Sequence, residues 1–129
     1  MIYCIAYPPN KPRRFYEEAA KEYMKRLGRF CKVQRLGNIH PNGERDFIIA
    51  LSPGGAQISS EEMAGRFLSI ELSGVINRII FLLDQKMPAH PNDVWALTSI
   101  GLQEDLTEVL LLEQIYRAQK IMHNEPYHK

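Results

Sequence analysis

Short apolar runs alternate along the chain with longer stretches in which apolar residues recur at helical spacing. The short runs predict five strands, and the fourth is so uniformly apolar that we expect it to be a central strand of a parallel sheet. The turn-forming sequence SPGG at residues 52–55 is expected to end the third strand. The predicted strands cover residues 2–7, 32–36, 47–51, 78–83 and 94–100.

The longer stretches predict three helices, which cover residues 11–27, 59–74 and 106–123. The first is expected to end at Gly28 in the left-handed conformation that favours glycine. Ser59 and Glu62 have the spacing of a capping box at the start of the second. Asp105 and Glu108 are expected to cap the third.

Strands that alternate with helices predict an α/β fold, in which right-handed crossovers build a mostly parallel five-stranded sheet covered on both faces. One domain of this kind accounts for residues 1–129. Ligands of such sheets bind outside the carboxyl ends of the strands. The chemistry is therefore expected in the C-terminal tail and in the loops at Tyr7-Pro8, Ser52-Pro53, Leu83-Asp84 and Ile100-Gly101.

The composition excludes several classes of protein. Hydrophobic residues make up 45% of the chain and charged residues 24%, as in an ordinary globular protein. No run of about 18 apolar residues could form a transmembrane helix, and residues 1–7 do not resemble a signal peptide, so a cytoplasmic protein is expected. Cys4 and Cys31 lie in or beside apolar runs and are expected to be buried free thiols, and no residues have the spacing of a metal site.

One region carries most of the positive charge. Residues 11–35 contain nine basic and three acidic residues, a net charge of +6, whereas the whole chain has a net charge of +1. Such asymmetry suggests a surface that faces the phosphate groups of RNA. The alternative is a solvated helix face whose charges only keep the protein in solution. The candidate RNA-binding residues are Arg13, Arg14, Lys21 and Lys25.

General nucleotide-binding, hydrolase and metalloprotease motifs are absent from the sequence, and His40 and His90 are interpreted as ordinary surface histidines. The C-terminal part is more specific, since it reads LEQIYRA at residues 112–118 and EPYHK at residues 125–129. This pattern resembles the family of ribosomal large-subunit methyltransferase H. The likeness covers nearly the whole chain and includes EYMKRL at 22–27, LSPG at 51–54 and WALT at 95–98.

The resemblance implies a SPOUT-type α/β domain with a trefoil knot at its C-terminal end, which works as a homodimer. It implies S-adenosylmethionine as the cofactor and a ring nitrogen of a pseudouridine in ribosomal RNA as the methyl acceptor. His128 is then expected to act as a base, Tyr127 to stack on the RNA base and Arg117 to hold a phosphate or carboxylate. The implied cofactor-binding residues are Leu51, Ser52, Leu83, Asp84, Gln85, Thr98, Ser99, Ile100, Gly101, Leu102 and Gln103.

Some residues depart from the family's pattern. The family has glycines directly after its fourth strand, where this chain has Asp84 and Gln85. Glu108 stands where an arginine is usual, a reversed charge that is expected to face a nucleic acid. The sequence therefore leaves two main functions open: a divergent but active RNA methyltransferase, and a degenerate member that binds RNA, the ribosome or another ligand without methyl transfer. In the second, the tail is structural and Arg117 pairs with Glu113. A different small-molecule enzyme on the same fold is the remaining alternative.

Overall fold

The structure is a computed structural model of the chain that describes residues 1–6, 12–37, 43–83 and 90–126. Five strands and three α-helices lie in these ranges, with one short 3-10 turn at Gly43–Arg45. In chain order they are β1 (Ile2–Ala6), α1 (Arg14–Leu27), β2 (Lys32–Leu36), β3 (Asp46–Gln57), α2 (Ser60–Ser73), β4 (Arg78–Leu82), β5 (Asp93–Ala96) and α3 (Glu104–Met122).

All five strands form one sheet in the order β2-β1-β4-β3-β5, and every neighbouring pair is parallel. β4 lies in the centre, as its unbroken apolar sequence predicts, and Ile79, Ile80 and Phe81 are fully buried. The parallel sheet and the helices packed on it confirm the predicted α/β fold class.

The two faces of the sheet are covered differently. Tyr3 and Ile5 belong to a large buried cluster that also contains the core residues of α1, α2 and α3. Cys4 and Ala6 point the other way and belong to a smaller buried cluster, which contains no residue of the described helices. Both faces are thus buried, but the described helices all pack on one of them.

The predicted capping box at the start of α2 is confirmed. The Ser59 hydroxyl accepts a hydrogen bond from the Glu62 backbone N–H at 3.1 Å, and the Glu62 carboxylate accepts one from the Ser59 N–H at 3.2 Å. The helix ends at Gly74, whose φ of 69° lies in the left-handed region. The left-handed cap predicted at Gly28 is wrong: its φ is −57°, because its N–H still bonds to carbonyl groups of α1 in a right-handed turn.

β3 is longer than predicted and is interrupted. It pairs with β5 up to Leu51, which lies opposite Trp95, and again from Ala56, which lies opposite the same residue. The prediction that the strand ends at Leu51 is therefore wrong, because the four residues in between form a bulge after which the strand resumes. The bulge needs a glycine, since a Cβ on Gly55 would lie 2.9 Å from backbone carbons of Val94 and Trp95. β5 is shorter than predicted, because the chain leaves the sheet after four residues to form a loop.

The two cysteines are free thiols, as predicted, with Cys4 buried and Cys31 partly buried. Burial raises the pKa of both thiols, that of Cys31 to about 12, so neither is a thiolate at neutral pH. None of the described helices has the length and apolar character needed to cross a membrane. The same part of the chain contains no group of three or more possible metal ligands.

Candidate functional site

A pocket of about 130 Å³ opens at the bulge of β3, at the carboxyl end of β4 and in the loop that follows β5. This is the edge at which open parallel sheets bind their ligands. One wall is the bulge of β3, and another is the loop that joins β5 to α3. The pocket is lined by Leu51, Ser52, Pro53, Leu83, Leu97, Thr98, Ile100, Gly101, Leu102 and Thr107.

Seven of the eleven residues predicted to bind the cofactor line this pocket, namely Leu51, Ser52, Leu83, Thr98, Ile100, Gly101 and Leu102. Ser99 and Gln103 belong to the same loop but not to the pocket wall, and Asp84 and Gln85 lie outside the described residues. Sequence reasoning missed Pro53, Leu97 and Thr107. The first two directly adjoin predicted residues, whereas the third comes from the first turn of α3, which folds back beside the loop.

The pocket combines apolar walls with hydroxyl groups. The Ser52 hydroxyl accepts a hydrogen bond from the Gly54 N–H at 3.2 Å, and the Thr98 hydroxyl accepts one from the Ile100 N–H at 3.3 Å. Each hydroxyl thus shapes its own loop and can still donate its O–H to a ligand, since a hydroxyl carries one donor and two acceptor positions. Apolar walls with a few polar groups are typical of a small-molecule site.

The first turn of α3 is held to the start of α1 by one ion pair. Arg13 donates to the Asp105 carboxylate through Nε at 2.8 Å and Nη2 at 3.0 Å, and its backbone N–H adds a bond at 3.1 Å. The Asp105 side chain is 9% exposed, and the hydrogen bonds from Arg13 lower its pKa to about 2. The prediction that Asp105 is the N-cap of α3 is wrong, because Gln103 occupies that position. The Asp105 carboxylate accepts a hydrogen bond from the Leu106 N–H of the first turn at 2.9 Å in addition to its bonds from Arg13.

Arg35, near the end of β2, binds two carboxylates. Its Nε donates to Glu108 at 2.8 Å and its Nη2 bonds to the same carboxylate, while Nη1 donates to Glu17 of α1 at 2.8 and 3.0 Å. The Glu108 side chain is only 1% exposed, and this burial raises its pKa although Arg35 acts in the opposite direction. The predictions that Glu108 caps α3 and faces a nucleic acid are therefore wrong.

The basic region divides into paired arginines and exposed lysines. Of the candidate RNA-binding residues, Arg13 is held by Asp105, and Arg14 lies 3.2 Å from Glu18 in an exposed pair. Other arginines of the region that pair with carboxylates are Arg26, Arg29 and Arg35. Among the basic residues of the described range 12–35, Lys21, Lys25 and Lys32 have exposed side chains and make no ion pair with any described residue. The lysines are therefore the part of the region most available to an external phosphate.

Arg117 lies on α3 away from the pocket. Its Nε donates to Glu113 Oε1 at 2.6 Å, one helical turn earlier, which is the pairing expected if this residue is structural. Arg117 follows Thr107 of the pocket by ten residues, which is about 15 Å along the helix axis. One chain alone therefore does not bring Arg117 to the pocket. Tyr127 and His128, the other two predicted catalytic residues, lie outside the described residues.

The chain is similar to known methyltransferases along its whole length. The family model described as "Predicted SPOUT methyltransferase" matches residues 34–128. The chain is 34% identical over 135 residues to ribosomal RNA large subunit methyltransferase H 1 of Thermoanaerobacter sp. (strain X514), and the match covers 100% of both chains. It is 33% identical to the large subunit methyltransferase H of Desulforamulus reducens, over 95% of this chain and 72% of the relative. The Streptococcus suis enzyme of the same name is 30% identical, over 90% and 92%.

Proposed function

Since the chain belongs to the family of SPOUT methyltransferases that includes ribosomal RNA large subunit methyltransferase H, we propose that it transfers a methyl group from S-adenosylmethionine to a pseudouridine of ribosomal RNA. The observation that carries the proposal is the pocket at the carboxyl edge of the sheet, which is lined by seven residues that the family resemblance implies for the cofactor. Retention of the family's trefoil knot belongs to the same proposal.

The residues of the pocket fit a cofactor that is part aromatic ring and part polar chain. Leu51, Leu83 and Leu97 offer apolar contacts to an adenine ring, while Ser52 and Thr98 offer hydroxyl donors to its polar atoms. When bound, S-adenosylmethionine supplies an electrophilic methyl group. The pocket residues would bind it, orient it and exclude water from it.

We expect the cofactor to bind weakly. Asp84 and Gln85 stand where the family has glycines, and a side chain at a position of close approach takes up space that a ligand would use. The expected affinity is in the high-micromolar range or weaker. A low-micromolar dissociation constant would instead assign these side chains to polar contacts with the ligand.

Methylation of a ring nitrogen requires the loss of its proton, whose pKa in a uracil-type base lies well above neutral. We assign the acceptance of this proton to His128, because a positioned base with a pKa near 7 can accelerate such a step by about a hundredfold or more. Tyr127 would stack on the RNA base, and Arg117 would hold a phosphate. Glu113 already fixes the Arg117 guanidinium at 2.6 Å, which restricts its orientation.

These assignments need a second copy of the chain. The Glu125 N–H donates to the Lys120 carbonyl at 2.8 Å, and the Glu125 carboxylate pairs with Arg29, so the described end of the chain is held beside the last turn of α3. Lys120 follows Thr107 of the pocket by 13 residues, about 20 Å along the helix, whereas the three residues from Glu125 to His128 span at most about 11 Å. We therefore propose a two-fold symmetric homodimer in which α3 and the tail of one protomer complete the pocket of its partner.

We propose that the exposed lysines of α1 bind the phosphate groups of the RNA. Lys21 and Lys25 lie one turn apart on α1, and both are exposed. Arg14 adds an exposed charge, since surface pairs such as Arg14 with Glu18 contribute little free energy and can be exchanged for a phosphate. We assign Arg13 a structural role instead, because Asp105 binds it through three hydrogen bonds.

Transfer of labelled methyl groups to ribosomes and to free subunits tests the proposal. His128→Ala should lower the rate at least tenfold and leave thermal stability nearly unchanged, while the neighbouring control Lys129→Ala should keep most of the activity. Light scattering on the same samples should give twice the 14.9 kDa of one chain. Full activity of His128→Ala would remove that residue from the mechanism. Absence of transfer by the unmodified protein at saturating cofactor would favour binding of RNA or ribosomes without methylation.

A further inference from the structure

Two buried carboxylates on the first turns of α3 point into the protein. Asp105 and Glu108 bind Arg13 and Arg35, which are 92 and 73 positions away in the sequence. Each arginine binds its carboxylate through two side-chain nitrogens. We call these two ion pairs the helix clamp.

The same turns of α3 also form part of the pocket. Thr107 lies between the two acids in the sequence and lines the pocket, as does Leu102 just before the helix. The Thr107 hydroxyl donates to the Gln103 carbonyl at 2.9 Å and so ties the helix to the end of the pocket loop. Any shift of this end of α3 therefore moves one wall of the pocket.

Stability alone does not account for the helix clamp. Buried ion pairs lose the hydration of both charges and are often no more stabilising than apolar residues of similar size. Apolar packing already holds α3 in the core, where Leu111, Leu112 and Ile115 are fully buried. A bidentate arginine–carboxylate pair does, however, restrict the relative orientation of the two side chains and of the elements that carry them.

We infer that Asp105 and Glu108 are positioning residues, which act through Arg13 and Arg35 to fix the first turns of α3 and thereby the pocket loop at residues 97–103. The groups that face them come from three places: the segment before α1 supplies Arg13, β2 supplies Arg35, and α1 supplies Glu17. The identity of the pocket's ligand rests on the proposed function, whereas the expected effect of the helix clamp on the order of the pocket loop does not.

The test compares Asp105→Asn and Glu108→Gln with Asp46→Asn. All three replace a buried, arginine-bound carboxylate by an amide of the same shape, but Asp46 binds Arg78 at 2.9 and 2.6 Å at the opposite end of the sheet. Hydrogen–deuterium exchange of the protein without ligand should be at least fivefold faster for the amides of residues 97–103 in the two clamp variants. In Asp46→Asn it should match the unmodified protein. Asp105→Asn suffices alone if Glu108→Gln does not fold.

The second readout is titration with S-adenosylhomocysteine. Its dissociation constant should rise at least fivefold in the clamp variants and less than twofold in Asp46→Asn, although a lower melting temperature is expected for all three variants. Unchanged exchange of the pocket loop in the clamp variants would overturn the inference, as would equally faster exchange in Asp46→Asn. If the unmodified protein transfers no methyl group to ribosomes at saturating cofactor while the exchange differs as expected, the positioning role stands and the proposed function fails.

Discussion

Buried ion pairs lie at both ends of the sheet, but they join different kinds of elements. At the amino end, Asp46 and Arg78 lie opposite each other on β3 and β4, two strands that the sheet already joins by backbone hydrogen bonds. At the carboxyl end, the helix clamp joins α3 to β2 and to the start of α1, elements that pack through their side chains. The Asp46–Arg78 pair reinforces the existing register of β3 and β4, whereas the helix clamp determines the position of α3.

The two sets of pairs also lie on opposite faces. Arg35 lies opposite Ile5, which faces the helices, whereas Asp46 alternates with Ile48 and Ala50 of the other cluster. Buried arginine–carboxylate pairs therefore join two strands at the amino end of the sheet and support the wall of the pocket at the carboxyl end. We expect substitutions of the ion pairs at the two ends to lower the stability of the protein to a similar extent. Only those at the carboxyl end should change the exchange of the pocket loop and ligand binding.

The largest effect on stability should come from removing an arginine. Arg35→Met leaves the Glu108 carboxylate, which is 1% exposed, without its ion pair, and this should lower the free energy of unfolding by about 3 kcal/mol or more. Arg78→Met should have an effect of similar size, because the Asp46 side chain is 2% exposed. Urea unfolding at pH 7 measures both.

The double variant Arg35→Met with Glu108→Gln provides the control for this prediction. It should recover most of the stability lost in Arg35→Met, because the buried charge of Glu108 is then removed as well, and the two substitutions should be strongly non-additive. A double variant as unstable as the single one would mean that the packing of the Arg35 side chain matters more than its charge.

The sequence predicts those features that depend on neighbouring residues. The central strand β4 follows from its own apolar run, and the capping box of Ser59 and Glu62 joins residues three positions apart. The edge at which the pocket lies could be predicted because loops after parallel strands meet there, whereas the individual cofactor-binding residues were implied by the family resemblance. The helix clamp could not, since an acid at the start of a helix has the same local pattern whether it caps the helix or, like Asp105 and Glu108, binds an arginine far away in the sequence.

A substitution in the bulge of β3 can perturb the carboxyl end of the sheet, where the pocket lies, without changing a charged residue. In Gly55→Ala, the new Cβ would lie 2.9 Å from carbons of Val94 and Trp95, two of them backbone atoms that cannot move without shifting β5. We expect a loss of about 2 to 3 kcal/mol in the free energy of unfolding, together with weaker ligand binding. The control is Gly54→Ala, whose Cβ would meet only the Ser52 hydroxyl at 3.8 Å. Equal stability of the two variants would contradict the close approach.

The smallest effect should separate the two carboxylates of the helix clamp by the sign of their pH dependence. The pKa of Asp105 is about 2 in the folded protein, below its ordinary value of 3.8, so its contribution to stability, about 2 kcal/mol, is present above pH 4 and is lost as the pH falls from 4 to 2. The stability difference between the unmodified protein and Asp105→Asn should therefore shrink over that interval.

Glu108 should behave in the opposite way, because burial raises its folded pKa above the ordinary value of 4.5. Its contribution is present below pH 4.5 and is lost as the pH rises through the folded pKa, since the unfolded chain then gives up its proton first. Glu108→Gln should consequently gain stability relative to the unmodified protein as the pH rises. Urea unfolding at several values between pH 2 and pH 7 measures both trends. Parallel trends in the two variants would contradict the opposite directions in which Arg13 shifts the pKa of Asp105 and burial shifts that of Glu108.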